Sequence, residues 1–313
     1  MLGRLAYVAL VVSEVERVAA GLARDFGWQR ADCAVGDGAR KAPAFTVGRT
    51  GLVLFEPGDP FLGDDARPGL HHLGIEVADL AAAASRAAAV GVEIGTAAVP
   101  GLEGRRQLRL CPPTTLGVRV HLTERLAWPP APPGWVERLD HIGVASDDNQ
   151  AAVDLFSGRL GFPLESTQTD VEVRLAIETF TSDRYGVVHH ARPVETAGGL
   201  RVAFVTVGDC ELEFLQDLDR GRAAEAAGRG PGTTQGDRSA IARFVAARGP
   251  GLHHLALKVA DLEAALLRLH RAGYPLIDTR GRPGSRRARI AFLDRRALGG
   301  VLVHLVEREA SAG

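Results

Sequence analysis

The chain has 313 residues, of which 46% are hydrophobic and 24% are charged, and its formal net charge at pH 7 is −1. This composition is typical of a folded globular protein of roughly two domains, and it excludes a mostly disordered chain. A net charge near zero gives no overall attraction to nucleic acid or to an anionic membrane surface, so we expect neither as a partner.

Cysteine usage and hydropathy indicate the compartment. The cysteines Cys33, Cys111 and Cys210 are far apart and form no CxxC pair, which argues against disulfides and against a thiolate metal site. The apolar run at the N-terminus is too short for a signal or membrane segment, and no stretch of about 18 apolar residues occurs elsewhere. We therefore expect a cytoplasmic protein without a membrane span.

In chain order, the first half contains two similar units. An apolar strand pattern surrounds Tyr7, and the helical pattern after it ends near Phe26. A second strand and helix begin at Gly69 with GLHHLGIEVADLAAAASRAAAVGVEI, and the half closes with LGVRVHLTE at Leu116–Glu124. Each unit predicts a strand, a helix and several short strands separated by Gly, Pro and Asp turns.

A proline-rich segment, RLAWPPAPPGWVE at Arg125–Glu137, separates the two halves. Proline cannot join a helix interior or a central strand, and it favours a stiff, extended linker. We therefore predict an N-terminal domain over residues 1–125, a linker over 126–137 and a C-terminal domain over 138–313.

The second half repeats the first. LDHIGVAS around His141 matches the strand at Tyr7, GLHHLALKVADLEAALLRLHRAGYPLI from Gly251 matches the segment at Gly69, and LGGVLVHLVE at Leu298–Glu307 matches the closing strand. Self-similarity of this kind is the signature of a repeat architecture. We therefore predict an α+β fold built from four βαβββ modules.

The last module shows the pattern in detail. Leu255 to Val259 is predicted to be a strand, Asp261 stands at the N-cap of the next helix, and an apolar stripe at helical spacing runs until Gly273. A separate Gly-rich stretch, Arg220–Asp237, is predicted to be a mobile loop that either closes over a site or serves only as a linker.

Three histidines and one glutamate lie in apolar strand patterns, at matching places in successive modules. They are His141 and His254 in first strands, and Glu213 and His304 in last strands. A buried imidazole is costly unless it is hydrogen-bonded or bound to a metal, and for each histidine alone a structural role is the alternative. Imidazole nitrogens with one carboxylate suit Zn, Mn, Co, Ni or Fe, so the set predicts one divalent transition metal.

These segments resemble the vicinal oxygen chelate superfamily, which includes glyoxalase I, methylmalonyl-CoA epimerase and the extradiol dioxygenases. The resemblance to the epimerase runs from about Arg138 to Glu307 through LDHIGVA, GLRVAFVTVGDCELEFLQ, SAIARFVAARGPGLHHLAL and IAFLDRRALGGVLVHLVE. It implies two half-barrel domains of paired modules, with a divalent metal held from first and last strands. The implied ligands are His141, Glu213, His254 and His304, and the last of these replaces a carboxylate of the epimerases.

The same register places Tyr7, Val53, His72 and His121 at the four positions of the N-terminal half. Valine cannot bind a metal, and without a carboxylate the remaining set is poor, so we expect a degenerate half that supports the other. Strand alternation predicts that the two members of each HH pair, at residues 71–72 and 253–254, point to opposite faces. Only the second of each pair is then expected at the site.

Two further groups are candidates for the chemistry. His190, in RYGVVHHARP, is either an acid or base at the site or part of a solvated loop. Arg282, Arg286 and Arg287 lie in RGRPGSRRARIAF, and guanidinium forks match carboxylate or phosphate oxygens. This run predicts either a binding site for an anionic substrate or a solvated basic loop.

Together these features predict a metal-dependent isomerase, epimerase or lyase that acts on a small, anionic carbonyl compound by Lewis-acid-assisted proton abstraction. Glu213, His304 and His190 are the candidate catalytic residues. The alternatives are a non-haem Fe(II) dioxygenase of the extradiol or hydroxyphenylpyruvate type, and a small-molecule-binding protein without turnover. A homodimer is compatible with this layout, but the modules are already paired within the chain.

Overall fold

The computed structural model describes residues 3–63, 67–95, 97–191, 195–218 and 240–308. Each half of the chain forms one curled, half-barrel sheet of eight strands with helices beside it. The predicted α+β fold, with four βαβββ modules in two paired-module half-barrels, is confirmed. The stretch Arg220–Asp237, predicted to be a mobile loop, lies outside the described residues.

The N-terminal half supplies the first sheet. Its elements are β1 Leu5–Val11, α1 Val15–Asp25, β2 Arg30–Val35, β3 Arg40–Val47, β4 Thr50–Phe55, β5 Gly69–Glu76, α2 Leu80–Ala89, β6 Val99–Pro100, β7 Arg106–Arg109 and β8 Val120–Thr123. The strands lie in the order β2-β3-β4-β1-β5-β8-β7-β6.

The C-terminal half supplies the second sheet and a separate hairpin. Its elements are β9 Val136–Ala145, α3 Asn149–Val153, β10 Leu164–Arg174, β11 Ile177–Ser182, β12 Gly186–Ala191, β13 Glu195–Val207, β14 Cys210–Asp217, α4 Ala240–Arg248, β15 Gly251–Val259, α5 Leu262–Arg271, β16 Arg282–Pro283, β17 Arg289–Phe292 and β18 Val303–Glu307. The sheet has the order β10-β13-β14-β9-β15-β18-β17-β16, and β11 pairs with β12 alone.

The two modules of each half meet at their first strands. β1 pairs antiparallel with β5, and β9 pairs antiparallel with β15. The last strand of every module runs parallel to the first strand of the same module. The four central strands of the second sheet are therefore β14, β9, β15 and β18, and these strands carry the four candidate metal ligands.

The first strands carry bulges at matching places. In β9 one extra residue, Asp140, is inserted opposite β15, and in β15 the extra residue is His253. Strands β1 and β5 have the same irregularities at Ala6 and His71. A bulge sets two residues opposite one, and it redirects a side chain that regular alternation would send to the other face.

Helix α5 confirms the pattern predicted for the last module. The carboxylate of Asp261 accepts a hydrogen bond from the backbone N–H of Ala264 at 2.9 Å, which satisfies a donor of the first turn. The apolar stripe is buried and consists of Leu262, Ala265, Leu266 and Leu269. Gly273 follows the last turn with a φ of 83°, a conformation that few other residues adopt without strain.

One hydrophobic core joins the two halves. The largest buried cluster contains side chains from both sheets and from α1, α2 and α5. The Tyr274 hydroxyl donates to the carboxylate of Asp25 at 2.8 Å, and the Arg159 guanidinium donates to the carbonyl of Val90 at 2.9 Å. These contacts fix each half against the other.

The segment between the halves contains no helix or strand over residues 124–135. Its Trp128 indole donates to the carbonyl of Ala6 at 2.7 Å, and its Trp135 indole donates to the carbonyl of Asp25 at 3.2 Å. The linker bounds 126–137 and the two flanking domains stay a proposal. Among the residues that the structure describes, no helix is both long and apolar enough to cross a membrane.

We expect Asp261→Ala to lower the free energy of unfolding by about 1 kcal/mol, because it removes the side-chain acceptor at the start of α5. Asp261→Asn keeps an acceptor and should stay close to wild type. Urea unfolding followed by circular dichroism measures both variants. An equal loss in the two would contradict the capping role.

Candidate metal centre

Four polar side chains converge from the central strands of the second sheet. They are His141 on β9, Glu213 on β14, His254 on β15 and His304 on β18. Gly143 and Ala256 each stand in register between two of them. The antiparallel pairing of β9 with β15 therefore brings one candidate ligand from each of four strands to one place.

The nitrogen and oxygen atoms of these side chains lie close together. His141 Nε2 is 3.1 Å from Glu213 Oε2 and 3.0 Å from His304 Nε2. His254 Nε2 is 3.5 Å from the same glutamate oxygen. One ligand atom of each histidine lies within 4.8 Å of the others, and all four residues are buried.

Gly143 makes this approach possible. A Cβ atom at this position would lie 2.0 Å from Cε1 of His254 and 2.2 Å from its Nδ1, which is closer than real side chains come. The imidazole of His254 thus lies across the β9 backbone at a point where only glycine leaves room.

The site contains an ion pair. Burial alone would lower the pKa of His141, but the charge of Glu213 and hydrogen bonds to Asp140 and Glu213 raise it to about 9. Burial alone would raise the pKa of Glu213, but His141 and His254 hold it well below its usual value. In the protein alone the pair is therefore an imidazolium and a carboxylate.

The other two imidazoles are neutral, because burial lowers the pKa of His254 and places that of His304 well below its usual value. Among the described residues, Nε2 of His254 is buried and has no hydrogen-bond partner. A buried polar atom in that state costs about 1–3 kcal/mol. A cation bound beside Nε2 would remove this cost.

The spacing of the atoms fits a metal. The ligand atoms of a tetrahedral zinc ion, each about 2.0–2.1 Å from it, lie roughly 3.3 Å apart. Three of the six separations between the four side chains, at 3.0, 3.1 and 3.5 Å, are of this size, and the ligand atoms of the three histidines lie within 4.8 Å of one another. The neutral imidazoles of His254 and His304 and the ionised carboxylate have the protonation states that metal binding requires, and His141 would release a proton when a metal binds.

The HH pairs depart from the predicted alternation. Nδ1 of His253 lies 3.0 Å from Nδ1 of His254, and both residues line one cavity. His71 and His72 make the same contact at 2.8 Å. The prediction that the two members point to opposite faces is wrong, because the bulges at His71 and His253 interrupt the alternation.

The equivalent place in the first half holds Tyr7, Val53, His72 and His121. The Tyr7 hydroxyl lies 3.0 Å from His72 Nε2 and donates to Gln107 Oε1 at 3.2 Å. The rings of His72 and His121 stack with their centres 3.7 Å apart, and burial holds the pKa of both well below the usual value. His72 Nε2 therefore has a hydrogen-bond partner, whereas its counterpart His254 Nε2 has none among the described residues.

A cavity of about 630 Å³ opens on the candidate ligands. Its apolar walls include Phe204, Leu215, Ile241, Ile290 and Phe292. The polar side chains that line it include Gln168, Asp170, Arg282 and Arg308. A volume in this range with few polar groups is typical of a site for a small molecule.

Arg282 is the one predicted substrate-binding arginine among the described cavity-lining residues. Its Nε donates to Asp278 Oδ2 at 3.1 Å, and its guanidinium lies 5.4 Å from the centre of the Phe292 ring. Because Asp278 is buried, this ion pair holds Arg282 at the cavity wall.

Arg286 and Arg287 are placed differently. Arg286 pairs with Glu211 and, at 2.5 Å, with Glu165, and its guanidinium stacks 3.6 Å from the centre of the Phe204 ring. Arg287 is exposed to solvent. Arg286 thus joins strands β10 and β14 to the loop before β17, and the predicted substrate role of both arginines gains no support from their positions.

His190 lies on β12, in the exposed hairpin that β11 and β12 form. It does not belong to the described residues that line the cavity. Its predicted role as an acid or base therefore gains no support from its position. Glu213 and His304, the other two candidate catalytic residues, both line the cavity.

Two residues at the site were not predicted from the sequence. The buried carboxylate of Asp140 lies 2.9 Å from His141 Nδ1, and Arg308 pairs with this carboxylate and lines the cavity. The adjacent Asp and His of LDHIGVA were the one available signal. Arg308 follows the last strand and gave no pattern of its own.

Comparison with known proteins finds a family model that is similar to part of the second half. Residues 140–292 match the Glyoxalase/Bleomycin resistance protein/Dioxygenase superfamily. The C-terminal half is therefore similar to members of this superfamily. Members of the superfamily use a divalent metal, and the matched segment contains His141, Glu213 and His254.

Two curated proteins are similar to this half of the chain. The uncharacterised protein YqjC of Bacillus subtilis is 26% identical over 172 residues, which cover 55% of this chain and 93% of YqjC. The mitochondrial methylmalonyl-CoA epimerase of Dictyostelium discoideum is 22% identical over 175 residues, which cover 55% of this chain and 80% of the epimerase.

A solved structure shares the fold of both halves. A variant of 4-hydroxymandelate synthase from Streptomyces coelicolor superposes with a TM-score of 0.66 at 17% identity. The match covers 100% of this chain and 95% of the synthase. The two half-barrels of this chain therefore have the arrangement found in that two-domain fold.

We expect Gly143→Ala to lower the free energy of unfolding by about 1–3 kcal/mol, because its Cβ overlaps the ring of His254. Displacement of that ring should also lower the zinc content of the purified protein. Gly158→Ala is the control, since a Cβ there meets no atom within 4 Å. Urea unfolding and elemental analysis would contradict this account if Gly143→Ala matched wild type in both.

Proposed function

We propose that the protein is a metal-dependent enzyme that moves a proton at a carbon next to a carbonyl group, as an isomerase, epimerase or lyase. The observation that carries the proposal is the convergence of three buried imidazoles and a buried carboxylate on a cavity of about 630 Å³. The match of residues 140–292 to the superfamily and the similarity to an epimerase support it.

We assign His141, Glu213, His254 and His304 as the residues that hold one divalent transition metal, which would be Zn, Mn, Co, Ni or Fe. When bound, such a metal acts as a Lewis acid on a carbonyl oxygen and makes the neighbouring C–H bond more acidic. The apolar cavity walls would surround this C–H bond with largely apolar side chains.

Glu213 is the candidate base. The neighbouring imidazoles keep it ionised, so it has lone pairs that can accept a proton. Its Oε2 is the oxygen that contacts His141 and His254, and we assign Oε1 to the substrate proton. His304 lines the same cavity as a neutral imidazole, and we assign it as the second proton-transfer group.

The cavity suits a small, anionic carbonyl compound. Arg282 and Arg308 line it, each paired with a buried aspartate, and apart from Gln168, Asp170 and the candidate ligands the walls are largely apolar. The epimerase relative is named for methylmalonyl-CoA, which is an anionic thioester, and this supports a substrate of that class. We assign Arg282 to the substrate carboxylate, because its guanidinium is only half-buried by its contacts.

A non-haem Fe(II) dioxygenase is the second candidate. Two histidines with Glu213 form a two-histidine, one-carboxylate set, and the superfamily includes dioxygenases. A third imidazole, that of His304, lies within 3.0 Å of His141 and would take a position that an oxygenase needs for substrate or O₂. We therefore place proton transfer first.

Zinc-loaded wild type should hold one equivalent per chain, and His254→Ala should hold less than about a tenth of that after dialysis, because one of four ligands is lost. His72→Ala is the matched control, since His72 is buried at the equivalent place in the other sheet. It should retain the full equivalent by mass spectrometry of bound metal. Loss in both variants, or retention in both, would contradict the assignment.

The metal-loaded protein in D₂O should exchange the acidic C–H of a malonyl-type or 2-oxo acid substrate, and Glu213→Gln should slow exchange by at least about 100-fold. Proton NMR measures the exchange, and an oxygen electrode is read in parallel. Glu263→Gln, an exposed substitution on α5, should match wild type. Oxygen uptake without proton exchange would instead support the dioxygenase. Full exchange in Glu213→Gln would exclude Glu213 as the base.

A further inference from the structure

Asp140 is a buried carboxylate with an ionic partner on either side. Its side chain has 0% exposure, and its Oδ2 lies 2.9 Å from Nδ1 of His141. Arg308 donates to the same carboxylate through Nε, at 3.0 and 3.1 Å, and also through Nη2. Arg138 Nη2 is a further donor at 3.3 Å.

The bulge in β9 creates this arrangement. In a regular strand, adjacent side chains alternate between faces, and Asp140 would then point away from His141. The register with β15 skips Asp140, so Leu139 and Ile142 both enter the main hydrophobic core. The extra residue is turned toward the site, where its carboxylate reaches the ring of His141.

The first half provides a natural comparison. Strand β1 has the same bulge, but the extra residue is Ala6 and the next residue is Tyr7. The backbone feature is thus present in both halves, while the carboxylate is present only beside His141. The bulge therefore does not itself require an aspartate, and within this chain the aspartate occurs where the next residue is a histidine.

The three imidazoles of the site differ in what their Nδ1 atoms contact. His141 Nδ1 contacts the Asp140 carboxylate, and His254 Nδ1 contacts the ring of His253 at 3.0 Å. Nδ1 of His304 has no hydrogen-bond partner among the described residues. Within this set, His141 is the histidine whose Nδ1 contacts a charged group.

We propose that Asp140 is a positioning residue for His141 and that Arg308 holds Asp140 in place, so that the pair directs His141 Nε2 toward a bound metal. The inference rests on the proposed function. The Nδ1–H of His141 donates to the carboxylate, which fixes the tautomer with its lone pair on Nε2 and orients the ring. The two nitrogens of Arg308 that bind the carboxylate restrict its rotation.

The test measures zinc affinity by competition with a chromophoric chelator, in wild type, Asp140→Asn and Asp140→Ala. Loss of such a partner typically weakens metal binding about 10–100-fold, and we expect this for Asp140→Ala. Asp140→Asn keeps an oxygen acceptor without the charge and should fall between Asp140→Ala and wild type. The visible spectrum of the cobalt-loaded protein should change in the same order, because it reports ligand geometry.

Asp278→Asn is the matched control. Asp278 is also a buried aspartate that pairs with an arginine, and its partners in the described part of the chain are Arg282 and the backbone N–H of Phe292. It should leave zinc affinity and the cobalt spectrum near wild type, even if unfolding shows an equal loss of stability. Arg308→Met should weaken zinc binding in wild type but add nothing to Asp140→Ala.

Three results would overturn the inference. A zinc affinity of Asp140→Ala within twofold of wild type would show that Asp140 does not position His141. An equal loss of zinc affinity in Asp278→Asn would show that the effect reflects general stability. Additive effects of Arg308→Met and Asp140→Ala on zinc affinity would show that Arg308 does not act through Asp140. If wild type binds no zinc at all, the proposed function itself fails, whereas tight zinc binding that is insensitive to Asp140 rejects this inference alone.

Discussion

Three imidazoles and a carboxylate are buried together in the second sheet, and their removal from water determines how the surrounding residues are arranged. Each buried polar atom needs a partner, and His141, Glu213, His254 and His304 lie at the centre of a sheet where few partners exist. Their mutual contacts are therefore short. Gly143 leaves space for the ring of His254. The bulges in β9 and β15 turn the side chains of Asp140 and His253 toward the same site.

The two halves share one backbone arrangement but differ in the side chains at its centre. In the first sheet, Tyr7 gives His72 Nε2 a hydrogen-bond partner, and Val53 removes the carboxylate. In the second sheet, the equivalent nitrogen of His254 has no such partner within the described chain, and Glu213 supplies negative charge. In the first half, the protein itself supplies the hydrogen-bond partner of His72 Nε2. In the second half, a bound cation would be the partner of His254 Nε2.

Much of this was predictable from the sequence. The repeat identified the modules, and the apolar pattern around His141, Glu213, His254 and His304 fixed their register on the strands, because a slip of one residue would expose the apolar face. The bulges were not predictable, since each depends on a one-residue mismatch between strands that are distant in the chain. The ion pairs of Arg286 with Glu165 and Glu211 were not predictable either, because the paired residues are distant in the chain. The same holds for the ion pair of Asp140 with Arg308.

The most direct test of the central claim is anomalous X-ray scattering from crystals grown with zinc, measured on both sides of the zinc absorption edge. We expect one strong difference peak per chain, enclosed by His141, His254, His304 and Glu213, if the metal assignment is correct. A peak beside Tyr7, His72 and His121 instead, or no peak in the second half, would contradict it.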